Sequence, residues 1–151
     1  QLPTSRLHLM FLLDTNALSE LRKVRSGRAD ARVAAWAESV DAKELYVSAI
    51  TILELELGVL SVERKDVAQG AMLRSWLEQQ VLPEFSARTL PVDTAVALRC
   101  ARLHVPDRRG ERDALIAATA LVHGMTVVTR NVSDFLPTGV SILDPWQGAA
   151  P

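Results

Sequence analysis

The sequence predicts an α/β domain, a mostly parallel five-stranded sheet covered by helices on both faces. Short continuous apolar runs at 10–13, 45–48, 125–129 and 140–143 have the character of strands buried on both faces. Between them stand segments whose apolar residues recur at helical spacing. The two kinds alternate without an internal repeat, low-complexity tract or interdomain linker, the pattern of a sheet built from strand-and-helix units.

Residues 10–13 form the first strand, closed by Asp14. Residues 1–9 are read as an N-terminal extension, 10–147 as the domain and 148–151 as a tail. The apolar run from Leu7 to Leu13, broken only by His8, is far below the roughly 20 residues a bilayer span needs. It also lacks the small-residue cleavage site of a secretory signal. A helix at 17–21 is interrupted by the basic, Gly-containing stretch 22–28, and helical spacing resumes over 29–40 through Val33, Trp36 and Val40.

Residues 45–48 make the second strand. The helix over 50–63 is so dense in apolar residues that a central, largely covered position is expected. A further helix over 67–82 is stopped by Pro83. Residues 88–92 read as the third strand, and Asp93 caps a helix running through Leu103. A charged loop, 108–112, leads into an Ala-rich helix over 113–123 with Gly124 just past its end. Strands four and five follow at 125–129 and 140–143, before Pro145.

Composition narrows the function classes. With 151 residues, 48% hydrophobic and 23% charged, the chain suits a single folded core. Lys and Arg number 17 against 18 Asp and Glu, so the net charge of -1 gives no whole-molecule attraction to nucleic acid or membrane. Polyanion binding would need a local patch. The single cysteine, Cys100, excludes an internal disulfide and a Cys-based zinc site, as expected of a cytoplasmic protein. In the helical run AVALRCARL it reads as a small buried hydrophobe. The glycine pattern of a phosphate-cradling loop is missing, which disfavours nucleoside triphosphate hydrolysis.

Ligands of open parallel sheets bind beyond the carboxyl ends of the strands. Asp14 follows the first strand, Glu54 lies one turn into the helix after the second, Asp113 starts the helix before the fourth, and Asn131 and Asp134 follow the fourth. Carboxylates gathered at one edge repel one another unless a cation neutralises them, and oxygen ligands without Cys or paired His suit Mg²⁺ or Mn²⁺. At 100° per residue Glu54 shares a face with Thr51, Gly58 and Ser61, small residues that leave room for a ligand, whereas Glu56 and Glu63 form a separate strip expected to be solvated.

Each acid also has a structural role open to it: a turn for Asp14, Asn131 and Asp134, and a helix cap or first-turn charge for Asp113. Asp93 reads only as a cap. His8, His104 and His123 are scattered at no metal-ligand spacing, and His123 suits a helix C-terminus. Arg22, Lys23, Arg25 and Arg28 after the first helix, with Arg108, Arg109 and Arg112 before Asp113, are candidate nucleic-acid contacts. Trp36, Trp76 and Trp146 read as core or interface residues.

Four segments, FLLDTNALSEL at 11–21, SAITILELELGV at 48–59, RDALIAATALVHGMTVVTRNVSDF at 112–135 and ILDPW at 142–146, together resemble the PIN-domain ribonucleases, and within them the VapC-type toxins of bacterial toxin–antitoxin pairs. The resemblance covers Met10 to Trp146 in order. It implies endonucleolytic cleavage of RNA with Mg²⁺ or Mn²⁺, inhibition by a cognate antitoxin lying across the active-site groove, and a homodimer. It matches Asp14, Glu54 and Asp113 to the family's metal-binding acids. Asn131 stands where Asp is common, and Asp134 is the alternative fourth acid. Of the basic residues flanking these acids, Arg22, Lys23, Arg25 and Arg112 are the expected RNA contacts. A catalytically weak PIN-like interaction module stays open as an alternative, as does a Mg²⁺-binding receiver-like signalling domain, although no lysine follows Lys65.

Overall fold

In the computed structural model, which describes residues 9–147, five strands make one parallel sheet in the order β3-β2-β1-β4-β5. The strands are β1 (Phe11–Leu13), β2 (Leu45–Ser48), β3 (Thr89–Leu90), β4 (Thr126–Val128) and β5 (Ile142–Leu143). Among the described residues, seven α-helices of four residues or more connect or follow them: α1 (Thr15–Leu21), α2 (Ala31–Ser39), α3 (Ala49–Lys65), α4 (Val67–Trp76), α5 (Thr94–Leu103), α6 (Glu111–His123) and α7 (Val132–Phe135). The expected sheet is therefore present and wholly parallel. The N-terminal extension (apart from Leu9) and the tail expected at 148–151 lie outside the described residues.

β1 is central because it is apolar on both faces. Phe11 and Leu13 point into one core with Val33, Val47, Leu55, Leu77 and Trp146; Leu12 points into the other with Val96, Ile116, Ala117 and Phe135. Strand alternation divides these residues, so helices must cover both sides. The Ala-rich face of α6, with Ala114, Ala117, Ala118 and Ala120 all buried, lets that helix approach the sheet closely.

Several boundaries and one packing expectation are corrected. Asp30 begins α2, accepting from the Arg32 and Val33 amides, so this helix starts after the loop rather than at residue 29. α3 is not largely covered: Thr51, Leu55 and Val59 are buried, but Leu53, Leu57 and Leu60 remain 46%, 46% and 47% exposed on another side. Residues 67–82 are not one regular helix. After α4 the chain forms a π-helix, Leu77–Val81, then a short turn of α-helix, Leu82–Glu84. Pro83 does not stop it, because it falls in the first turn of that last segment, where its missing N–H costs little.

The strip of Glu56 and Glu63 is not simply solvated. Arg74 on α4 donates to both, at 2.6 Å to Glu56 Oε1 and 3.1 Å to each Glu63 oxygen, tying α3 to α4. Gly70 makes that approach feasible, since a Cβ there would lie 2.6 Å from Glu63 Cα. Other expectations hold: Asp93 caps α5 through the Val96 amide at 3.0 Å, Gly124 ends α6 in the left-handed region at φ 67°, and Cys100 is buried.

Candidate active site

The sheet order places β1 beside β4, the point where the chain, having moved outward through β2 and β3, returns to the other side of β1. Such a reversal opens a crevice at the carboxyl ends of the strands. The residue after β1 is Asp14 and the residue after β4 is Thr129, and both are buried.

Asp14 caps α1, its Oδ1 accepting from the Thr15 amide at 2.8 Å. Its Oδ2 accepts from Thr129 Oγ1 at 2.8 Å and from Asn16 Nδ2 at 3.2 Å. Asn16 is held in turn: its amide nitrogen reaches Thr129 Oγ1 at 3.3 Å, and its Oδ1 accepts from the Arg130 backbone at 3.1 Å. Burial pushes the Asp14 carboxyl above its ordinary pKa, and the Glu54 charge adds to that. The donors Thr129, Thr15 and Asn16 pull the other way and keep part of the anion's stabilisation.

Glu54 projects from the second turn of α3, with its side chain 21% exposed. Thr15 Oγ1 donates to its Oε1 at 2.5 Å, and Arg112 Nη1 lies 3.7 Å from its Oε2. Asp113 is in the first turn of α6 but does not cap it, since Gly110 is the N-cap. Burial, followed by the charges of Asp14, Asp134 and Glu54, pushes the Asp113 carboxyl up to about 6. The fold thus brings four predicted acids into electrostatic contact, from β1, α3, α6 and α7.

Asn131 is placed differently. It is exposed, its backbone N–H donates to Thr129 Oγ1 at 3.0 Å, and its side chain makes no cap bond at α7. Asp134 is the residue after β4 whose charge is felt at Asp113. Among the candidate cations, Arg112 reaches the acids. Lys23 is paired to Glu20 at 3.1 Å, and Arg108 to Glu111 at 3.4 Å. Arg22 and Arg25 line a separate cavity beside Trp76. His104 serves the loop, its Nδ1 accepting from the Arg109 amide at 3.1 Å.

Sequence reasoning singled out the acids but missed the three residues that hold them, Thr15, Asn16 and Thr129. The Asp-Thr-Asn order after β1 was the available signal for the first two. Thr129 had a weaker one, its position at the end of a strand.

The donor set is entirely oxygen: three or four carboxylates with an amide nearby, which fits a hard divalent cation. The raised pKa values of Asp14 and Asp113 are the mark of negative charge crowded into a poorly solvated place, which a cation relieves. Among the described residues, the side chains as they stand draw no three acids, histidines or cysteines into a closed ligand cluster.

Comparison with known proteins agrees with this fold. The PIN domain family matches residues 11–135. A VapC ribonuclease from Sinorhizobium fredii is 37% identical over 148 residues, covering 93% of this chain and 100% of that protein. Toxin FitB from Neisseria gonorrhoeae is 39% identical over 146 residues, covering 91% and 99%. The crystal structure of FitAcB from Neisseria gonorrhoeae superposes with a TM-score of 0.81 at 37% identity, covering 91% of this chain and 99% of that one. A toxin–antitoxin complex from Klebsiella pneumoniae superposes with a TM-score of 0.60 at 25% identity, covering 89% and 96%. With the family match spanning most of the chain and these relatives matched over nearly their full length, the chain belongs to the PIN domain family.

Proposed function

We propose that this protein is a divalent-metal-dependent endoribonuclease that acts as the toxin of a toxin–antitoxin pair. The observation that carries the reading is the buried carboxylate of Asp14, held by Thr129 and Asn16 at the β1–β4 crevice within the electrostatic reach of Glu54 and Asp113. The relatives named VapC ribonuclease and toxin FitB support the class of reaction and its biological setting.

Asp14, Glu54 and Asp113 would hold Mg²⁺ or Mn²⁺, with Asp134 completing the acidic rim and Asn131 at its edge. Bound there, the cation supplies charge to offset that of a scissile phosphate and acidifies a water. The protein's own contribution is positional. Thr129, Asn16 and the Thr15 amide fix the orientation of Asp14, and Thr15 Oγ1 fixes Glu54, so two carboxylates from different elements are aligned before substrate arrives. Glu54 is partly solvated and hydrogen-bonded through Oε1 only, and its Oε2, 3.7 Å from Arg112 Nη1, is the oxygen that would accept a proton from an attacking water. Arg112, beside Glu54 and half exposed, is placed to contact an RNA phosphate. Arg22, Lys23 and Arg25 extend the cationic path, with Lys23 partly committed to Glu20.

The antitoxin is proposed to lie along α1 and α3, where Leu53, Leu57 and Leu60 leave an apolar stripe on the helix that carries Glu54. The toxin–antitoxin complex from Klebsiella pneumoniae supports a partner of this kind. A cationic antitoxin side chain reaching the acids would compete with the metal for them. Self-association as a homodimer is also proposed. Among the described residues no helix is long and apolar enough to cross a membrane.

Expression in a bacterial host tests the biological reading. Growth arrest by the wild-type chain, relieved by Asp113→Asn and by co-expression of the antitoxin, is the expected result. Arrest that persists undiminished in Asp113→Asn would contradict a nucleolytic toxin.

A further inference from the structure

A second concavity lies at the far end of α1, away from the acids. Its volume is about 580 Å³, and its walls come from the end of α1, the π-helical segment Leu77–Val81 and the loop before β3. The floor is apolar, with Leu18, Leu21 and Phe85. The rim carries Trp76, Gln79, Gln80, Arg22 and Arg25. From this we infer that the cavity is a subsite for one unpaired base of the RNA, one short helix away from the cleavage site.

Four features point to that occupant. Trp76 is half-buried and has a guanidinium, that of Arg22, 5.9 Å from its ring centre. Aromatic rings and guanidinium planes are the surfaces on which splayed RNA bases stack. Gln79 and Gln80 are exposed side chains whose amides carry donors and acceptors suited to a base edge, Gln79 Oε1 also accepting from Ser75 Oγ at 3.3 Å. Among the described residues Arg22 and Arg25 have no acidic partner, in contrast to Lys23 beside them, so their charge is available to the flanking phosphates.

The fourth feature is the π-helix itself. A regular α-helix was expected over 67–82, and a wider turn in its place is rare and tends to occur at functional sites. Here it falls on the two glutamines at the rim. The route to the acids is short: α1 begins at the Asp14 cap and ends at Arg22, about 12 Å away at the helical rise. A strand whose scissile phosphate lies at Asp14 therefore reaches the cavity within a few nucleotides. The third cation at the cavity, Arg88, is consumed structurally. It donates to the Ala42, Leu45 and Glu84 carbonyls and pairs with the Glu84 carboxylate, which shapes the wall without adding free charge.

This inference rests on the reading of the protein as a ribonuclease, so its test is a binding measurement made in chelator, independent of cleavage. The probes are two single-stranded RNA oligomers of equal length, one carrying bases and one abasic throughout, titrated into the full chain while tryptophan fluorescence is followed. The base-carrying oligomer is expected to bind about tenfold or more tightly than the abasic one, in line with the worth of one stacked base, and to quench the emission. In Trp76→Phe the quench is lost while much of the affinity remains, because phenylalanine still stacks. In the double variant Gln79→Ala, Gln80→Ala, which leaves the floor intact, discrimination among A, C, G and U homopolymers collapses. Equal binding of the two oligomers, quenching that survives in Trp76→Phe, or discrimination unchanged in the double variant would overturn the subsite. If base-dependent binding is found but metal-supplemented protein fails to cut RNA, the ribonuclease reading falls and the base site stands.

Discussion

Thr129 Oγ1 donates to Asp14 Oδ2 at 2.8 Å, joining the ends of the two strands, β1 and β4, between which the sheet order reverses. Both residues are buried, and the same hydroxyl accepts from the Asn131 amide at 3.0 Å and the Asn16 side chain at 3.3 Å. A single threonine thus fixes the first acid, the asparagine beside it and the loop that leads to Asp134. The site is a property of the strand junction, and its acids are placed by neutral residues.

Replacing that hydroxyl by a methyl group, Thr129→Val, keeps the shape and removes the donor. A hydrogen bond to a charged group is worth about 1.5–3 kcal/mol, and a loss of stability of that order is expected in denaturant titration near neutral pH. Because Thr129 holds the Asp14 pKa down, the variant's carboxyl rises further, and the acid limb of the pH–rate profile moves to higher pH. An unmoved acid limb would mean that Asp14 is not a group that must be ionised.

Two glutamates only two residues apart, on different faces of α3, should behave differently. Glu54→Gln removes an acid from the site and is expected to lower kcat/KM at least a hundredfold, about 2.7 kcal/mol at 1.36 kcal/mol per tenfold. Glu56→Gln loosens a contact with Arg74 that Glu63 still shares, so activity stays near wild type. Comparison of initial rates at saturating metal decides, and equal losses would remove the distinction.

The sheet and the acids were legible in the sequence because both follow from local pattern. Three buried apolar residues followed by Asp mark β1 and its end whatever else the chain does. The helical face of Glu54 followed from spacing alone. What stayed hidden depended on partners distant in sequence. The strip of Glu56 and Glu63 gave no sign of Arg74, which arrives from α4 only after the chain has turned. The role of Thr129 required knowing that β4 lies beside β1. The π-helix leaves no mark in hydrophobic periodicity, and the apolar density of α3 suggested a covered helix although one stripe stays exposed.

The crowded acids give the metal-free protein a definite pH signature. Asp113 titrates near 6 in the fold against an ordinary value of 3.8. Between those values the folded state keeps a proton that the unfolded chain has released, so stability falls as pH rises through the window and levels off above it. The groups responsible, besides burial, are Asp14, Asp134 and Glu54. Thermal melts in chelator should show this fall, and Mn²⁺ should abolish it by favouring the ionised acids. A melt insensitive to pH across that range would contradict the clustering.

RNA binding should depend on salt through the unpaired arginines. Removing both Arg22 and Arg25 is expected to flatten the slope of log affinity against log salt by about 1.4, at roughly 0.7 per contact for single strands. Lys23→Ala alone should change it less, since Lys23 is engaged with Glu20. Filter binding across a salt series reads both values, and identical slopes in all three proteins would return the cluster to mere solvation.

The central claim is that Asp14 anchors a metal-dependent nuclease site, and one paired assay addresses it: cleavage of a single-stranded RNA by purified wild-type and Asp14→Asn protein, each with chelator, Mg²⁺ or Mn²⁺. The account predicts cutting by the wild type with metal only, and none by Asp14→Asn, whose amide keeps the size of the side chain and removes the charge. Cleavage by the wild type in chelator, or full activity of Asp14→Asn at ordinary Mg²⁺, would contradict it.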